Sequence, residues 1–206
     1  VSSAGGKKAD QMYNMVRSMV SRSVPIDGVG LQAHLALDHD QLLADSTTAA
    51  ELQAVEKLER VPTESAVSAN IARYGRLGLQ VRDARRCAQS MERRSPPWWD
   101  PSSPLWDVLA PWDATLRQVH ITELDVKCPD PCTPERLEAQ ADAYDVMLRA
   151  CLAHPGVCTS FETWGFTDKY TWLVGSRCPG AAECHPLPFD EQYRAKPAAQ
   201  RVLARL

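Results

Sequence analysis

Residues 119–134 read VHITELDVKCPDPCTP, and this stretch predicts a buried strand followed by a helix. The strand is predicted over residues 119–126, where β-branched and other apolar residues recur. Thr133 and Pro134 then form a favourable N-cap and first helical position. Apolar residues spaced three or four apart continue on one helical face as far as Cys151. A strand that leads into a helix in this way is typical of a parallel sheet built from βα units.

The same alternation of strands and helices continues on both sides of this unit. The predicted order is a helix over 7–22, a strand over 29–35, helices over 41–59 and 62–78 with a cap at Gly78, and, beyond the central unit, a strand over 159–164 and a helix from Pro197. This order predicts an α/β fold with a parallel sheet.

Residues 82–118 break the pattern. They contain many of the chain's Pro and Trp residues, and neither a helical nor a strand period continues through them. We therefore interpret residues 82–118 as an irregular insertion.

Composition excludes two classes of protein. The chain has 206 residues and a formal net charge of −3, so the basic face of a nucleic-acid-binding protein is not expected. No run of about 18 apolar residues occurs, so we expect no membrane-spanning helix.

Six of the seven cysteines form three close pairs in the sequence, and Cys87 is left over. Such pairs favour small disulfide loops in a secreted protein, while unpaired thiols are a second interpretation. A third is a zinc module, for which Cys178, Cys184 and His185 are the candidate ligands. The three pairs are Cys128 with Cys132, Cys151 with Cys158, and Cys178 with Cys184.

Polar and aromatic residues gather at or after the predicted strands. Side chains alternate along a strand, so we expect Gln32 and His34 to share one face and Glu123 and Asp125 to share another. The third strand leads into the sequence WGFTDKYTWL over residues 164–173. In parallel barrels, polar groups at these strand ends face the active site.

Four sequence blocks, in order, resemble glycoside hydrolase family 10, the endo-1,4-β-xylanases. They are PIDGVGLQAHL, VHITELDVK, WGFTDKYTWL and PLPFDEQYRAKPA, at residues 25–35, 119–127, 164–173 and 186–198. The resemblance implies a partial (β/α)8 barrel, about its last three βα units, with irregular insertions. A complete barrel of this kind takes about 250 residues.

The resemblance also implies roles for individual residues. Glu123 corresponds to the family's catalytic nucleophile, His34 to the histidine beside it, and Asp125 would orient His34. Gln32, Trp164 and Trp172 would bind the substrate, with the two Trp side chains forming an apolar platform for a sugar ring. The implied substrate is xylan or a related β-1,4-linked polysaccharide, with no metal and no organic cofactor.

The sequence departs from the family pattern in one important respect. A retaining glycosidase uses two carboxylates, and the family's acid/base Glu lies in a WDVVNE-like block that this sequence does not contain. We therefore expect the chain on its own to be inactive on xylan. The alternative is a non-catalytic carbohydrate-binding remnant of such an enzyme.

The resemblance makes residues 1–206 a partial catalytic domain with two extra segments, a helical insertion at 41–60 and the irregular insertion at 82–118. Deleting residues 81–118 joins GLQ to VHITELDVK and restores the family's short link. Residues 81–118 are therefore interpreted as a translated intron or, alternatively, as a genuine surface loop. The family and the paired cysteines together predict a secreted, extracellular protein, although no signal peptide is present in the sequence.

Overall fold

The strands of the computed structural model form one parallel sheet, as the sequence predicts. The structure describes residues 6–39, 44, 48–49, 52–53, 58–80, 118–173 and 184–206. Within these residues the strands are β1 (Gly28–Leu31), β2 (His34–Ala36), β3 (Glu59–Arg60), β4 (Gln118–Lys127) and β5 (Cys158–Thr163). The helices are α1 (Lys7–Ser21), α2 (Glu64–Gln80), α3 (Pro134–Leu152) and α4 (Pro197–Arg205), with a short 3-10 helix at Asp168–Tyr170.

Strand β4 lies at the centre of the sheet. β1 and β2 follow one another along one edge of β4, β5 pairs with the other edge, and β3 pairs with the outer side of β2. All of these pairings are parallel. Because these pairings are parallel, the carboxyl ends of β2, β4 and β5 lie at the same end of the sheet.

The core lies between the sheet and the helices. Leu31, Ile121 and Leu124 from the sheet and Tyr144 and Met147 from α3 are completely buried there. α3 begins as predicted, because the Thr133 side chain accepts a hydrogen bond from Arg136 N and Pro134 occupies the first helical turn. Removing this much apolar surface from water is the main stabilising contribution to the fold.

The outer helices are attached by small packed residues and ion pairs. Ala198 and Ala199 of α4 are buried, and Arg205 of the same helix binds Asp145 of α3. At the other side, Arg73 of α2 binds Asp10 of α1 at 2.6 Å. The Arg73–Asp10 pair is exposed, and such pairs add little free energy of folding individually, so packing is the main determinant of the helix positions.

Several predicted boundaries are wrong. The strand expected over 29–35 is interrupted at Gln32 and Ala33, where Ala33 has φ 61°. The helix expected to end at Gly78 continues to Gln80. Gln118, assigned to the 82–118 insertion, is the first residue of β4 and lies opposite Gly28 of β1.

The two predicted insertions lie mainly outside the described residues. Of the 41–60 segment, the structure describes only residues 44, 48–49, 52–53 and 58–60. Glu59 and Arg60 form strand β3 rather than helix. Residues 81–117 are not among the described ones. None of the described helices is long and apolar enough to cross a membrane.

The first two predicted cysteine pairs are disulfides. Cys128 is bonded to Cys132 directly after β4, and Cys151 is bonded to Cys158 between α3 and β5. Cys184 is also disulfide-bonded, so its sulfur does not provide the thiolate that the zinc interpretation requires. Among the described residues, no group of three or more His, Cys, Asp or Glu side chains is placed to hold a metal ion.

Candidate active site

One extra residue in β4 determines which side chains reach the open face of the sheet. Leu31 lies opposite Ile121, and His34 lies opposite Asp125. Two residues separate Leu31 from His34, but three residues separate Ile121 from Asp125 in β4. The pairing with β5 shows a register shift at the same place, between Ile121 and Leu124. β4 therefore contains a bulge around Thr122 and Glu123, the kind of irregularity that re-aims side chains beside active sites.

The burial of β4 side chains changes phase at this bulge. Val119 and Ile121 belong to the core before it, and Leu124 and Val126 belong to the core after it. Thr122 and Glu123 are adjacent in the chain, yet neither belongs to the core, because the bulge turns Glu123 away from it. Glu123 and Asp125 thus share the face opposite the core, as the strand alternation predicts.

The His34 side chain links these two carboxylates. Its Nε2 lies 3.2 Å from Glu123 Oε2, and its Nδ1 lies 3.1 Å from Asp125 Oδ1. His34 reaches them because β2 pairs with β4 so that His34 and Asp125 are opposite one another. An ionised carboxylate only accepts hydrogen bonds, so the imidazolium form of His34 is the one that can donate to both.

The surroundings of His34 favour this imidazolium form. Burial of the ring lowers the pKa of His34, but the hydrogen bond and negative charge of Asp125, with those of Glu123, outweigh burial and leave the pKa raised. Asp125 is completely buried, whereas the Glu123 side chain is 22% exposed. The arrangement therefore presents one accessible carboxylate that is oriented from behind by a buried His–Asp pair.

Two tryptophans border this group. Trp172 donates from Nε1 to Asp125 Oδ2 at 2.5 Å, and its ring centroid is 4.8 Å from that of His34. Trp164 lies farther out, with its centroid 6.3 Å from that of His34, and 46% of the residue is exposed. Trp172 is thus fixed by a hydrogen bond, while Trp164 offers an apolar surface to solvent near the His34 ring.

A buried ion pair holds the segment that carries both tryptophans. Asp168 accepts from Lys196 Nζ at 3.0 Å and from the Leu187 N–H at 2.7 Å. Lys196 Nζ also donates to the carbonyls of His185 and Leu187 at 2.7 Å each. Residues 164–173 and 184–198 are thereby joined into one unit above the end of the sheet.

Burial is the largest influence on the pKa values of both members of this ion pair. It raises the pKa of the Asp168 carboxyl despite the opposing effect of Lys196. It also lowers the pKa of the Lys196 ammonium despite the opposing effect of Asp168. Each charge is therefore maintained by its partner and its hydrogen bonds.

The structure brings most of the predicted site residues together and adds two supporting residues that the sequence analysis does not name. Glu123, His34, Asp125, Trp164 and Trp172 come together as expected. Gln32 is exposed at the break between β1 and β2. The positioning residues Asp168 and Lys196 were not predicted, although both lie within the sequence blocks that carry the family resemblance.

The family assignment follows from comparison with known proteins. The sequence model of glycosyl hydrolase family 10 matches residues 2–82 and 105–205. The chain belongs to glycosyl hydrolase family 10. Residues 83–104 are not matched.

Known endo-1,4-β-xylanases align with nearly the whole chain. An endo-1,4-β-xylanase of Agaricus bisporus is 27% identical over 198 residues, which cover 96% of this chain and 40% of that protein. Endo-1,4-β-xylanase 2 of Aureobasidium pullulans is 29% identical over 200 residues, covering 97% of this chain and 40% of that protein. The chain thus spans less than half the length of these curated relatives.

Solved structures confirm the fold. A glycosylated endo-β-1,4-xylanase of Gloeophyllum trabeum superimposes with a TM-score of 0.60 at 22% identity, covering 98% of this chain and 43% of that one. Xylanase 10B of Thermotoga petrophila, solved in complex with xylobiose, gives a TM-score of 0.59 at 23% identity, with 98% and 42% coverage. The parallel sheet and its helices are part of a (β/α)8 barrel, as the sequence predicts.

Proposed function

We propose that this family 10 chain carries the nucleophile side of the active site of a retaining endo-1,4-β-xylanase. The observation that supports this most strongly is the placement of Glu123, which is partly exposed and oriented by His34, itself bound to the buried Asp125. Hydrogen bonds from a positively charged imidazolium favour an ionised carboxylate. An ionised, accessible and fixed carboxylate is what attack on an anomeric carbon requires.

The proposed reaction has two steps. Glu123 attacks the anomeric carbon, and the bond from that carbon to the leaving-group oxygen breaks as the glycosyl–Glu123 ester forms. Water then attacks the same carbon and releases Glu123 as a carboxylate. A second carboxyl group must protonate the leaving oxygen in the first step and deprotonate water in the second, and the sequence contains no WDVVNE-like block to supply it.

The proposed substrate is xylan. It is supported by the endo-1,4-β-xylanases among the relatives and by the xylobiose named for the Thermotoga petrophila structure. Trp164 and Trp172 are the proposed platform for the sugar ring beside Glu123, and Gln32 is the proposed polar contact at the strand break. The two disulfides suit an oxidising environment, so we also propose that the protein works outside the cell.

A labelling experiment tests the role of Glu123 without the missing acid. The probe is a fluorinated xylobioside with a dinitrophenolate leaving group, which departs as a stable anion and needs no proton. We expect the intact chain to gain the mass of one fluoroxylobiosyl group on the peptide that contains Glu123. The variant Glu123→Gln should gain none, while the matched control Glu162→Gln, which alters an exposed carboxylate of β5, should label normally.

The same protein also tests the expectation of inactivity. General acid catalysis contributes about 10²–10⁴-fold, so we expect hydrolysis of unactivated xylan to be at least about 100-fold slower than by an enzyme with both carboxylates. Xylan binding that persists in Glu123→Gln, with no labelling of the unaltered chain, would instead support the carbohydrate-binding remnant.

A further inference from the structure

A second group of exposed aromatic side chains lies beyond the candidate site. We call Phe166, Tyr170, Phe189 and Tyr193 the aromatic surface. Phe166, Tyr170 and Tyr193 are 55%, 70% and 50% exposed, respectively, and Phe189 is partly buried beneath Phe166. Within the part of the chain that the structure describes, the ring contacts and hydrogen bonds of Glu123 and His34 involve none of these four residues, so the proposed reaction does not account for their exposure.

The rings of the aromatic surface are arranged nearly parallel. Phe166 stacks on Phe189 with a centroid distance of 4.2 Å and an interplanar angle of 26°. Tyr193 lies at the same angle to Phe166, with its centroid 6.4 Å away. Side chains held in this way present flat apolar faces to solvent.

Backbone contacts make this surface rigid. Phe189 N donates to Phe166 O, and Asp168 N donates to Phe189 O at 2.9 Å, which joins the two segments that carry the rings. The Asp190 carboxylate accepts from the N–H groups of Gln192 and Arg194, closing a tight turn around Tyr193. A surface that is ordered before binding loses little conformational entropy when a ligand binds.

Polar groups are interspersed with the rings. The Tyr170 and Tyr193 side chains interact electrostatically with each other and with Lys169. Lys169 Nζ lies 5.4 Å from the Tyr170 ring centroid and 5.6 Å from that of Tyr193. Flat apolar faces with hydroxyl and ammonium groups between them match a pyranose, whose C–H faces are apolar and whose equatorial hydroxyls form hydrogen bonds.

Continuity with the candidate site favours a polysaccharide as the occupant. Trp164, the outer tryptophan next to His34, is only two residues before Phe166 in the same segment. A membrane surface is less suitable, because interfacial binding calls for several basic groups. Among the described residues, Lys169 is the one cation placed over the rings of the aromatic surface, and the neighbouring Arg194 is paired with Asp190.

We propose that the aromatic surface is a second xylan-binding site, which holds the polysaccharide outside the active site. The inference rests on the proposed function for its choice of polysaccharide. Stacking of sugar rings on Phe166 and Tyr193, with hydrogen bonds from Tyr170 and Lys169, would keep a long chain attached while its cleavable bond lies beside Glu123.

Electrophoresis of the full chain through gels that contain soluble xylan tests this proposal. We expect xylan to retard the chain, and we expect Phe166→Ala and Tyr193→Asn each to weaken the binding about fivefold. Asn is chosen at position 193 because Tyr193 has φ 62°, a conformation that Asn tolerates. Leu203→Ala is the matched control, because Leu203 is a 65% exposed apolar residue on α4, and it should leave retardation unchanged.

The outcomes separate this proposal from the proposed function. Weaker xylan binding in both variants, with unchanged Glu123 labelling and unchanged thermal unfolding, would support the aromatic surface as well as the proposed role of Glu123. Weaker binding combined with no labelling of the unaltered chain would support the aromatic surface and reject the role of Glu123. Unchanged binding in two folded variants, no retardation of the unaltered chain, or equal retardation by heparin would overturn the aromatic surface.

Discussion

Replacement of Asp125 by Asn tests the central contact of the site. The buried Asp125 carboxylate accepts hydrogen bonds from His34 Nδ1 at 3.1 Å and from Trp172 Nε1 at 2.5 Å. An Asn side chain of the same shape has one oxygen, so it can accept only one of these bonds and turns its own N–H₂ towards the other donor. A lost bond to a charged group is worth about 1.5–3 kcal/mol, and we expect the free energy of unfolding to fall by that amount.

The effect of Asp125→Asn should depend on pH in a definite direction. The folded-state pKa of His34 is raised above its value of 6.5, so His34 stabilises the fold fully below pH 6.5, and this contribution is lost as the pH rises through the folded pKa. The hydrogen bond and charge of Asp125 are the largest of the contributions that raise this pKa. We therefore expect the loss of stability in Asp125→Asn to be larger at pH 5.5 than at pH 8.5.

Urea unfolding at the two pH values, together with NMR titration of the His34 ring, provides the measurement. The matched control is Asp142→Asn, because Asp142 is exposed and pairs with Arg201 on the helix surface, where such pairs contribute about 0–1 kcal/mol. The reasoning would be refuted if Asp125→Asn were within about 0.5 kcal/mol of the unaltered chain at both pH values, a difference typical of surface substitutions, and the His34 pKa did not fall.

Three further predictions concern the support of the site and the 81–118 segment. Lys196→Met should lower the free energy of unfolding by about 3–5 kcal/mol in urea, because it leaves the Asp168 carboxylate buried without its cation; the double variant with Asp168→Asn should recover part of the loss, and no recovery would contradict the pairing. Gly165→Ala should lower the melting temperature, since Gly165 has φ 135° and an added Cβ would lie 2.8 Å from Leu187 Cδ1; an unchanged melting temperature would mean that the turn relaxes freely. If residues 81–118 are a translated intron, as we propose, most transcripts of the gene should join the codons of GLQ directly to those of VHITELDVK, whereas abundant reads that continue through the segment would establish a genuine loop.

The central unit was predictable because its signals are local. Thr133 and Pro134 mark the start of α3, where a capping side chain and a missing N–H are both favourable. Pro197 marks the start of α4 in the same way. Gly78, by contrast, predicts a helix end, yet α2 continues to Gln80. A glycine weakens a helix by only about 1 kcal/mol, so tertiary packing can override it.

The break in the first strand and the bulge in β4 were not predictable in the same way. Sequence alternation alone suggests continuous strands over 29–35 and 119–126. In the structure, β4 contains an extra residue relative to both of its neighbours, so the irregularity depends on how three strands pair. Pairing across a sheet is a property of distant segments, and its local trace in β4 is limited to the two adjacent polar residues Thr122 and Glu123.

Local patterns are enough to predict the α/β class and the family, because strand alternation, helix caps and the four ordered blocks can each be read within one segment of the chain. The resemblance also implies that His34 lies beside Glu123 and is oriented by Asp125, but the distances between these groups come from the fold, because the two carboxylates are 89 and 91 residues away from His34 along the chain. The pairing of Asp168 with Lys196 and the stacking of Phe166 on Phe189 are visible only in the folded structure. Contacts of this kind form when folding brings distant segments within a few ångströms, and both their geometry and their electrostatic effects arise at that point.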